Sequence, residues 1–340
     1  MEHHALNDRH TTLAAGAPGE FEAAYKAATC TAGVGAVDGR IVVRAIGEDR
    51  LAFFHGMCTA DVKNAKPRSI LPALILTEHA HIIAELFIWV AGDALLLDID
   101  ATAWTRARAH LEKLLVADDV EFEEADAFSV VDIEGPQSPA VAKAVGGDEA
   151  GNLPAWRFVA VGDLCIGNFP RFGATAISIL VPHGYADDLV NRAISAVPGA
   201  RQIDSAVLEA IRIEHGIARI GADTTEKSLA LEARLERAIS FHKGCYVGQE
   251  TIERATARGA LKKRMMGLRF EDGKLPGIGS AVTLAGKDAG HVTSVVRSPR
   301  MGAIGLAMLH HSAWPPGTRV AVADGASRLE ASVYGLPFEG

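Results

Sequence analysis

The C-terminal part of the chain has a sequence pattern that few folds accommodate. Beyond Gly259, short runs of strand-forming residues follow one another, and glycine or proline separates each run from the next. The runs cover 262–270, 279–284, 289–296, 303–308, 319–322 and 329–333. Many short strands at this spacing are typical of a small β-barrel, because closure leaves no unpaired strand edge. We therefore expect a C-terminal β-barrel domain over residues 259–340.

Upstream of the barrel, strand-like runs alternate with helical runs in two rounds. The first round has a helix from Phe21, a helix over 102–116 with Thr102 as its N-cap, and strands at 39–46, 70–77 and twice within 82–100. The second round has a helix over 205–216, with Ser205 as its N-cap, and further elements at 128–133, 136–144, 177–181 and 184–197. This pattern predicts an α+β fold with two similar α+β units over residues 20–258, preceded by a flexible tail at 1–19.

Composition narrows the class of protein. The chain has 340 residues, 49% of them hydrophobic, which is enough for full hydrophobic cores. Its net charge of −8 argues against a nucleic-acid partner. Apolar runs fall short of the roughly 18 residues that a membrane-spanning helix needs, and the N-terminus lacks an apolar signal core. We expect a cytoplasmic monomer. The four cysteines form no C-x-x-C pair, so we expect no metal site.

Residues 243–250, Lys-Gly-Cys-Tyr-Val-Gly-Gln-Glu, are the most unusual segment of the sequence. The glycines at 244 and 248 predict a tight loop, and a helix is predicted from Gln249. Lys243 and the start of that helix both favour the thiolate form of Cys245. The alternative is that Cys245 is a small buried residue and that the glycines merely build a turn.

The predicted helix after this loop carries charged residues at helical spacing. Glu250 and Arg254 are four residues apart, in the order that favours an ion pair. Arg258 shares the face of Arg254, so the two guanidinium groups can meet a carboxylate.

Several segments together resemble one protein family. The motif K-G-C-Y-x-G-Q-E at 243–250 resembles the signature of YgfZ-type folate-binding proteins, which are relatives of the glycine-cleavage T-protein and are associated with iron–sulfur cluster assembly. Residues 212–223 resemble the family's R-x-E-x-G-x-x-R-x-G-x-D stretch, and 56–62 its T-x-D-V segment. Residues 290–307 and 336–338 resemble the barrel that the T-protein shares.

This resemblance implies a ring-like arrangement of two split-βαβ-like units and a barrel, with tetrahydrofolate or another reduced folate in the central opening. Glu214 is then the carboxylate that holds the pterin, and Lys262, Lys263 and Arg264 form a candidate clamp for the glutamate tail. The full set of expected folate-binding residues is Glu214, Tyr246, Gln249, Glu250, Arg254, Arg258 and Arg264.

One segment departs from the T-protein pattern. Where the T-protein has a paired acidic motif, I-x-D-D, whose Asp assists methylene transfer, this chain has Ile-Ile-Ala-Glu at 82–85. Glu85 is the one acid that remains, and its longer side chain places a proton differently. Classical glycine-cleavage activity is therefore not expected, and whether the chain is an enzyme stays open.

Three functions remain as hypotheses. The first is a tetrahydrofolate-binding accessory protein for iron–sulfur cluster assembly or repair, with assembly or client proteins as partners. Its reactive residues are Cys245, Lys243 and Glu85. The second is a folate-dependent aminomethyltransferase or demethylase that acts on a small molecule. The third is a non-catalytic interaction module on a folate-binding scaffold.

Overall fold

The computed structural model describes residues 18–124, 128–174, 176–258 and 261–339. The predicted N-terminal tail lies almost wholly outside the described residues, and the first helix begins at Pro18. The helices are α1 (Pro18–Cys30), α2 (Arg50–Met57), α3 (Ala101–Leu114), α4 (Ser138–Gly151), α5 (Ala186–Ala196), α6 (Ser205–Glu214) and α7 (Gln249–Arg258).

The first α+β unit is built on a five-stranded sheet. Its strands are β2 (Arg40–Ile46), β3 (Ile70–Leu76), β4 (Ile82–Val90), β5 (Leu95–Asp100) and β6 (Glu121–Glu124). They lie side by side in the order β3–β4–β5–β2–β6. Helices α2 and α3 cover one face, where Phe54, Trp104 and Leu111 are buried in a shared core with Ile88 and Leu97. The predicted pair of strands within 82–100 is confirmed.

The second unit is built on a six-stranded sheet, in the order β11–β1–β7–β10–β9–β8. Its strands are β1 (Gly33–Ala36), β7 (Phe128–Glu134), β8 (Arg157–Val161), β9 (Leu164–Asn168), β10 (Ala176–Pro182) and β11 (Arg201–Gln202). β1 comes from the N-terminal round of the sequence but pairs with β7. Glycine at 33 and 35 allows β1 to lie close to its neighbours in this sheet. An added Cβ would lie 2.7 Å from the Ala28 side chain at Gly33, and 2.4 Å from the Ile203 carbonyl at Gly35.

The two sheets pack against each other, and the helices α2 to α5 lie on their outer faces. The aromatic side chains of Phe87, Trp89, Phe158 and Phe169 fill much of the layer between the sheets. Helices α1 and α6 pack together through Tyr25 and the apolar face of α6. Predicted and observed architecture therefore agree: the fold is α+β.

The C-terminal domain is a closed six-stranded barrel, in the order β12–β15–β14–β13–β16–β17. This confirms the barrel predicted from the spacing of glycine and proline. Its strands are β12 (Lys263–Phe270), β13 (Ala281–Leu284), β14 (Lys287–Ser298), β15 (Gly302–His310), β16 (Arg319–Asp324) and β17 (Ser327–Tyr334). A mixed apolar core joins the barrel to the first sheet and to α7.

The N-caps of two helices differ from the prediction by one or two residues. Asp100 caps α3 by accepting hydrogen bonds from the N–H groups of Thr102 and Ala103. Asp204 caps α6 in the same way, so the predicted caps Thr102 and Ser205 are wrong. A carboxylate satisfies the free N–H groups and also complements the helix dipole, which a hydroxyl does not.

Within the described ranges, no helix is both long enough and apolar enough to cross a membrane.

Candidate functional site

A cavity of about 340 Å³ lies where the first sheet meets α3, α6 and the segment that follows α6. Side chains from all of these elements line it, and apolar and charged groups are mixed. Phe87, Phe172, Leu208 and Ile217 supply apolar walls. The charged residues of the lining are Asp38, Arg40, Glu85, Asp100, Arg106, Arg171, Glu209, Arg212, Arg219 and Arg237. Such a cavity suits a small ligand that has both apolar and polar groups.

Glu85 lies in this cavity, as its place on β4 allows. Its carboxylate is 3.3 Å from the guanidinium of Arg237. Arg237 also donates a hydrogen bond to the Pro170 carbonyl at 3.1 Å, so it bridges the two units. Arg237 was not among the expected site residues, because no motif surrounds it in the sequence.

A second charged cluster forms the wall beside α6. Arg212 pairs with Glu209 at 2.7 Å and with Asp223 at 2.7 Å. Arg219 contacts the other Glu209 oxygen at 3.3 Å. Burial alone would raise the pKa of Glu209, but hydrogen bonds from Arg212 hold it below its usual value. The R-x-E-x-G-x-x-R-x-G-x-D stretch thus holds its own loop in place and directs Glu209 to the cavity.

Arg171 forms the buried end of the cavity, between the two sheets. Its guanidinium contacts Asp98 at 2.5 Å and Asp132 at 2.8 Å. Phe87 and Phe169 lie against it, with ring centres 4.8 and 5.0 Å from the guanidinium carbon. Burial by itself would lower the pKa of Arg171, because it disfavours the charged form. The carboxylates of Asp132 and Asp98 outweigh this effect and raise the pKa above its usual range.

Glu214 lies at the end of α6 and is almost fully buried. Its carboxylate accepts hydrogen bonds from the Tyr25 hydroxyl at 2.7 Å, from Ser298 and from Arg300 at 3.2 Å. Burial and the nearby carboxylate raise the pKa of Tyr25. Glu214 is not part of the cavity lining. A pterin reaches this carboxylate only if these partners release it, so the pterin-binding role of Glu214 stays a prediction.

The loop at 243–248 is anchored by its lysine. The Lys243 ammonium donates hydrogen bonds to the carbonyls of His55, of Cys58 at 2.7 Å and of Ala60 at 2.9 Å. Burial lowers the pKa of Lys243. The ammonium thus binds carbonyls at and after the end of α2, whereas the sequence pattern predicted that its charge favours the Cys245 thiolate.

The remaining residues of the motif divide into a buried part and an exposed part. Tyr246 is buried beneath the Lys243 ammonium. Gly248 has a φ of +87°, and an added Cβ there would lie 2.7 Å from the Thr77 carbonyl, so the predicted glycine requirement is confirmed at this position. It is wrong for Gly244, where the nearest atom to an added Cβ is His55 Nε2 at 3.7 Å. Cys245 is exposed, which excludes the alternative of a buried filler.

Most residues of the expected folate-binding set lie away from the cavity. The Gln249 side-chain amide donates a hydrogen bond to the Glu253 carboxylate at 2.7 Å. The predicted Glu250–Arg254 ion pair is present at 3.1 Å. The Arg258 side chain lies outside the described residues. None of Tyr246, Gln249, Glu250 and Arg254 is among the lining residues described for the cavity, so their role in binding stays a prediction. Arg264 lines a second, adjoining cavity.

Comparison with known proteins places this chain in one family. Residues 20–243 match the GCVT N-terminal domain, and residues 263–338 match the glycine cleavage T-protein C-terminal barrel domain. The fold and the sequence together define an aminomethyltransferase-like protein. The chain belongs to the glycine cleavage T-protein family.

Individual relatives are distant. A chloroplastic protein of Arabidopsis thaliana, provisionally named a transferase, is 27% identical over 86% of this chain and 68% of its own length. An aminomethyltransferase of Rubrobacter xylanophilus is 25% identical over 77% of this chain and 71% of its own. The glycine cleavage system aminomethyltransferase of Bartonella henselae superposes with a TM-score of 0.84 at 20% identity, over 93% of this chain and 88% of that one.

Proposed function

We propose that this protein binds a reduced folate in the cavity that Glu85 and Phe172 line. We also propose that it serves iron–sulfur cluster assembly or repair through Cys245. The observation that carries the folate part is the cavity of about 340 Å³, whose lining mixes apolar and charged side chains. Phe172, which is half-buried, offers an apolar wall for a pterin ring. Glu85, whose carboxylate has one contact to Arg237 at 3.3 Å, offers an acceptor for its N–H and NH2 donors. Membership of the T-protein family supports the same ligand.

The iron–sulfur part is supported by the position of Cys245. The thiol is exposed, while Lys243 and Tyr246 on either side are buried and hold the loop. The Val247 N–H donates to the Gly56 carbonyl at 3.1 Å, which also fixes the turn. An exposed thiol on a fixed turn is suited to bind a cluster or a partner protein for a short time. One thiolate does not hold a cluster by itself.

A genetic experiment tests the role of Cys245. In a strain that lacks the gene, iron–sulfur enzymes are expected to lose activity, and the wild-type gene is expected to restore it. Cys245→Ser is expected to restore less than about a tenth of that activity, because the serine hydroxyl is a poor metal ligand and a poor nucleophile. Cys30→Ser is the matched control, since Cys30 is also exposed. Full rescue by Cys245→Ser contradicts the proposal.

A second candidate function is transfer of a one-carbon unit between folate and a small molecule. Glu85 favours it, because this carboxylate lies in the cavity where a general acid or base is needed. Arg237, at 3.3 Å, holds the carboxylate in place. Transfer of the methyl group of a methylamine or methyl sulfide to tetrahydrofolate, with release of the demethylated amine or thiol, decides for this second function if it is lost in Glu85→Gln.

A further inference from the structure

The segment at 171–173 connects the cavity of about 340 Å³ with a buried carboxyl group outside it. Arg171 and Phe172 both line this cavity. Phe172 also packs against the core that α1 and α6 share. The next residue packs against Glu134 at the end of β7, since a Cβ added at Gly173 would lie 2.5 Å from the Glu134 Oε2 atom. A change at the Glu134 carboxyl therefore acts directly on the segment that carries a wall of the cavity.

Glu134 is a buried carboxyl whose negative charge would lack a full set of partners. The residue is 2% exposed, and its buried Oε1 atom has no hydrogen-bond partner among the described residues. Burial, with Asp132 nearby, raises the pKa of Glu134 to about 8, and the backbone N–H groups of Gly173 and Phe172 offset only part of this rise. The carboxyl is therefore protonated at neutral pH and ionises in mildly alkaline solution.

The charged groups around Glu134 balance one another before it ionises. Asp132 lies two residues earlier on β7, and Arg171 is the cation that faces both carboxyl groups. Arg171 also pairs with Asp98 on β5, which in turn pairs with Arg40 on β2. The other elements around Glu134 and the segment 171–173 present uncharged neighbours: Gly33 on β1, Ala176 on β10 and Ile211 on α6. Two guanidinium groups thus balance two carboxylates, and an ionised Glu134 adds a negative charge without a cation of its own.

An ionised Glu134 needs water, and the segment 171–173 covers it. A buried carboxylate that is neither paired nor hydrated is strongly unfavourable. Ionisation therefore favours conformations in which the segment moves away and water reaches the carboxylate. Phe172 moves with the segment, so the cavity loses part of its apolar wall in these conformations.

We propose that Glu134 is a pH-sensitive switch of ligand binding: its protonated carboxyl lets the segment 171–173 close and hold Phe172 in the cavity wall, and its ionisation releases the segment. The inference rests on the proposed folate site. A folate that contacts Phe172 then binds the protonated form more tightly. By linkage, folate binding draws a proton from the solvent onto Glu134, and folate affinity falls as the pH rises above about 8.

Calorimetric titration of the full chain with tetrahydrofolate, at about pH 7 and about pH 9 without oxygen, tests this inference. Tetrahydrofolate itself keeps the same charge over this range. The wild type is expected to bind roughly tenfold more weakly at the higher pH, because the protonated fraction of Glu134 falls by about that factor. Glu134→Gln keeps a neutral side chain of the same shape, so its affinity is expected to change by less than about twofold. Glu330→Gln, which removes an exposed glutamate on β17, is the matched control and loses affinity as the wild type does.

Proton uptake by the wild type keeps the test independent of how the variant folds. At about pH 8, binding enthalpies in buffers of different ionisation enthalpy are expected to show uptake of roughly half a proton for each folate bound, because about half of the free protein has lost the Glu134 proton. Equal losses of affinity in the wild type and Glu134→Gln, an affinity of the wild type that does not change with pH, or binding without proton uptake overturns the inference and leaves the folate site intact. Absence of binding at both pH values overturns both proposals.

Discussion

Replacing Arg171 with methionine is expected to lower the free energy of unfolding by about 3–5 kcal/mol. Arg171 is 4% exposed and pairs with Asp98 and Asp132, which are 0% exposed. Without the cation, Asp98 keeps Arg40 at 2.6 Å, whereas among the described residues Asp132 keeps the Ser178 hydroxyl at 2.5 Å as its side-chain partner. Methionine fills a similar volume, so the loss reports the unpaired buried charge rather than a cavity.

Urea unfolding at neutral pH measures this loss, and two variants serve as controls. Arg319→Met removes an exposed arginine 4.0 Å from Glu271 and is expected to change stability by less than about 1 kcal/mol. In an Asp132→Asn background, the cost of Arg171→Met is expected to fall, because the carboxylate left unpaired is gone. If Arg171→Met costs no more than Arg319→Met, the buried network does not stabilise the fold as described.

Glu134 is expected to make the protein less stable as the pH rises from about 5 to about 8. Burial, with Asp132 nearby, raises its pKa from 4.5 to about 8. The folded state then keeps a proton that the unfolded chain releases above pH 4.5, so stability is lost as the pH rises toward the folded-state pKa. One pKa unit corresponds to about 1.4 kcal/mol, so this carboxyl lowers stability by roughly 2–4 kcal/mol over that range.

The Glu134→Gln variant isolates this effect. Glutamine does not titrate, and other titrating groups contribute similarly to both proteins. The wild-type free energy of unfolding minus that of the variant is therefore expected to fall by roughly 2–4 kcal/mol between pH 5 and pH 8. Urea unfolding across this range measures the difference. A difference that stays constant with pH shows that Glu134 is ionised in the folded protein or exposed to solvent.

Local patterns in the sequence predicted much of the fold. The barrel followed from glycine and proline spacing, and helix α7 from the change of pattern at Gln249. Helix α2 was not predicted, because its eight residues are too few to show a clear helical period. The pairing of β1 with the second sheet depends on the close approach of Gly35 to Ile203, two residues that are far apart in the sequence. Such long-range packing leaves no local pattern.

The candidate site was predicted less completely than the fold. The motif at 243–250 predicted a site around Cys245. The cavity that Glu85 lines is built from other elements, and none of its described lining residues belongs to this motif. Arg237, Arg106 and Phe172 come from three separate elements, which only the folded chain brings to one cavity. Each of them lies in an ordinary stretch of sequence. Lys243 is a similar case, because its carbonyl partners at 55–60 are far from it along the chain.

Titration of the protein with tetrahydrofolate, under conditions that exclude oxygen, tests the central claim most directly. The wild type is expected to bind one equivalent, and Phe172→Ala to bind roughly tenfold more weakly, because a cavity wall is removed. Phe241→Ala, which truncates an exposed phenylalanine outside the described cavity lining, is expected to bind like the wild type. Absence of binding by the wild type, or equal binding by Phe172→Ala, contradicts a folate site in this cavity.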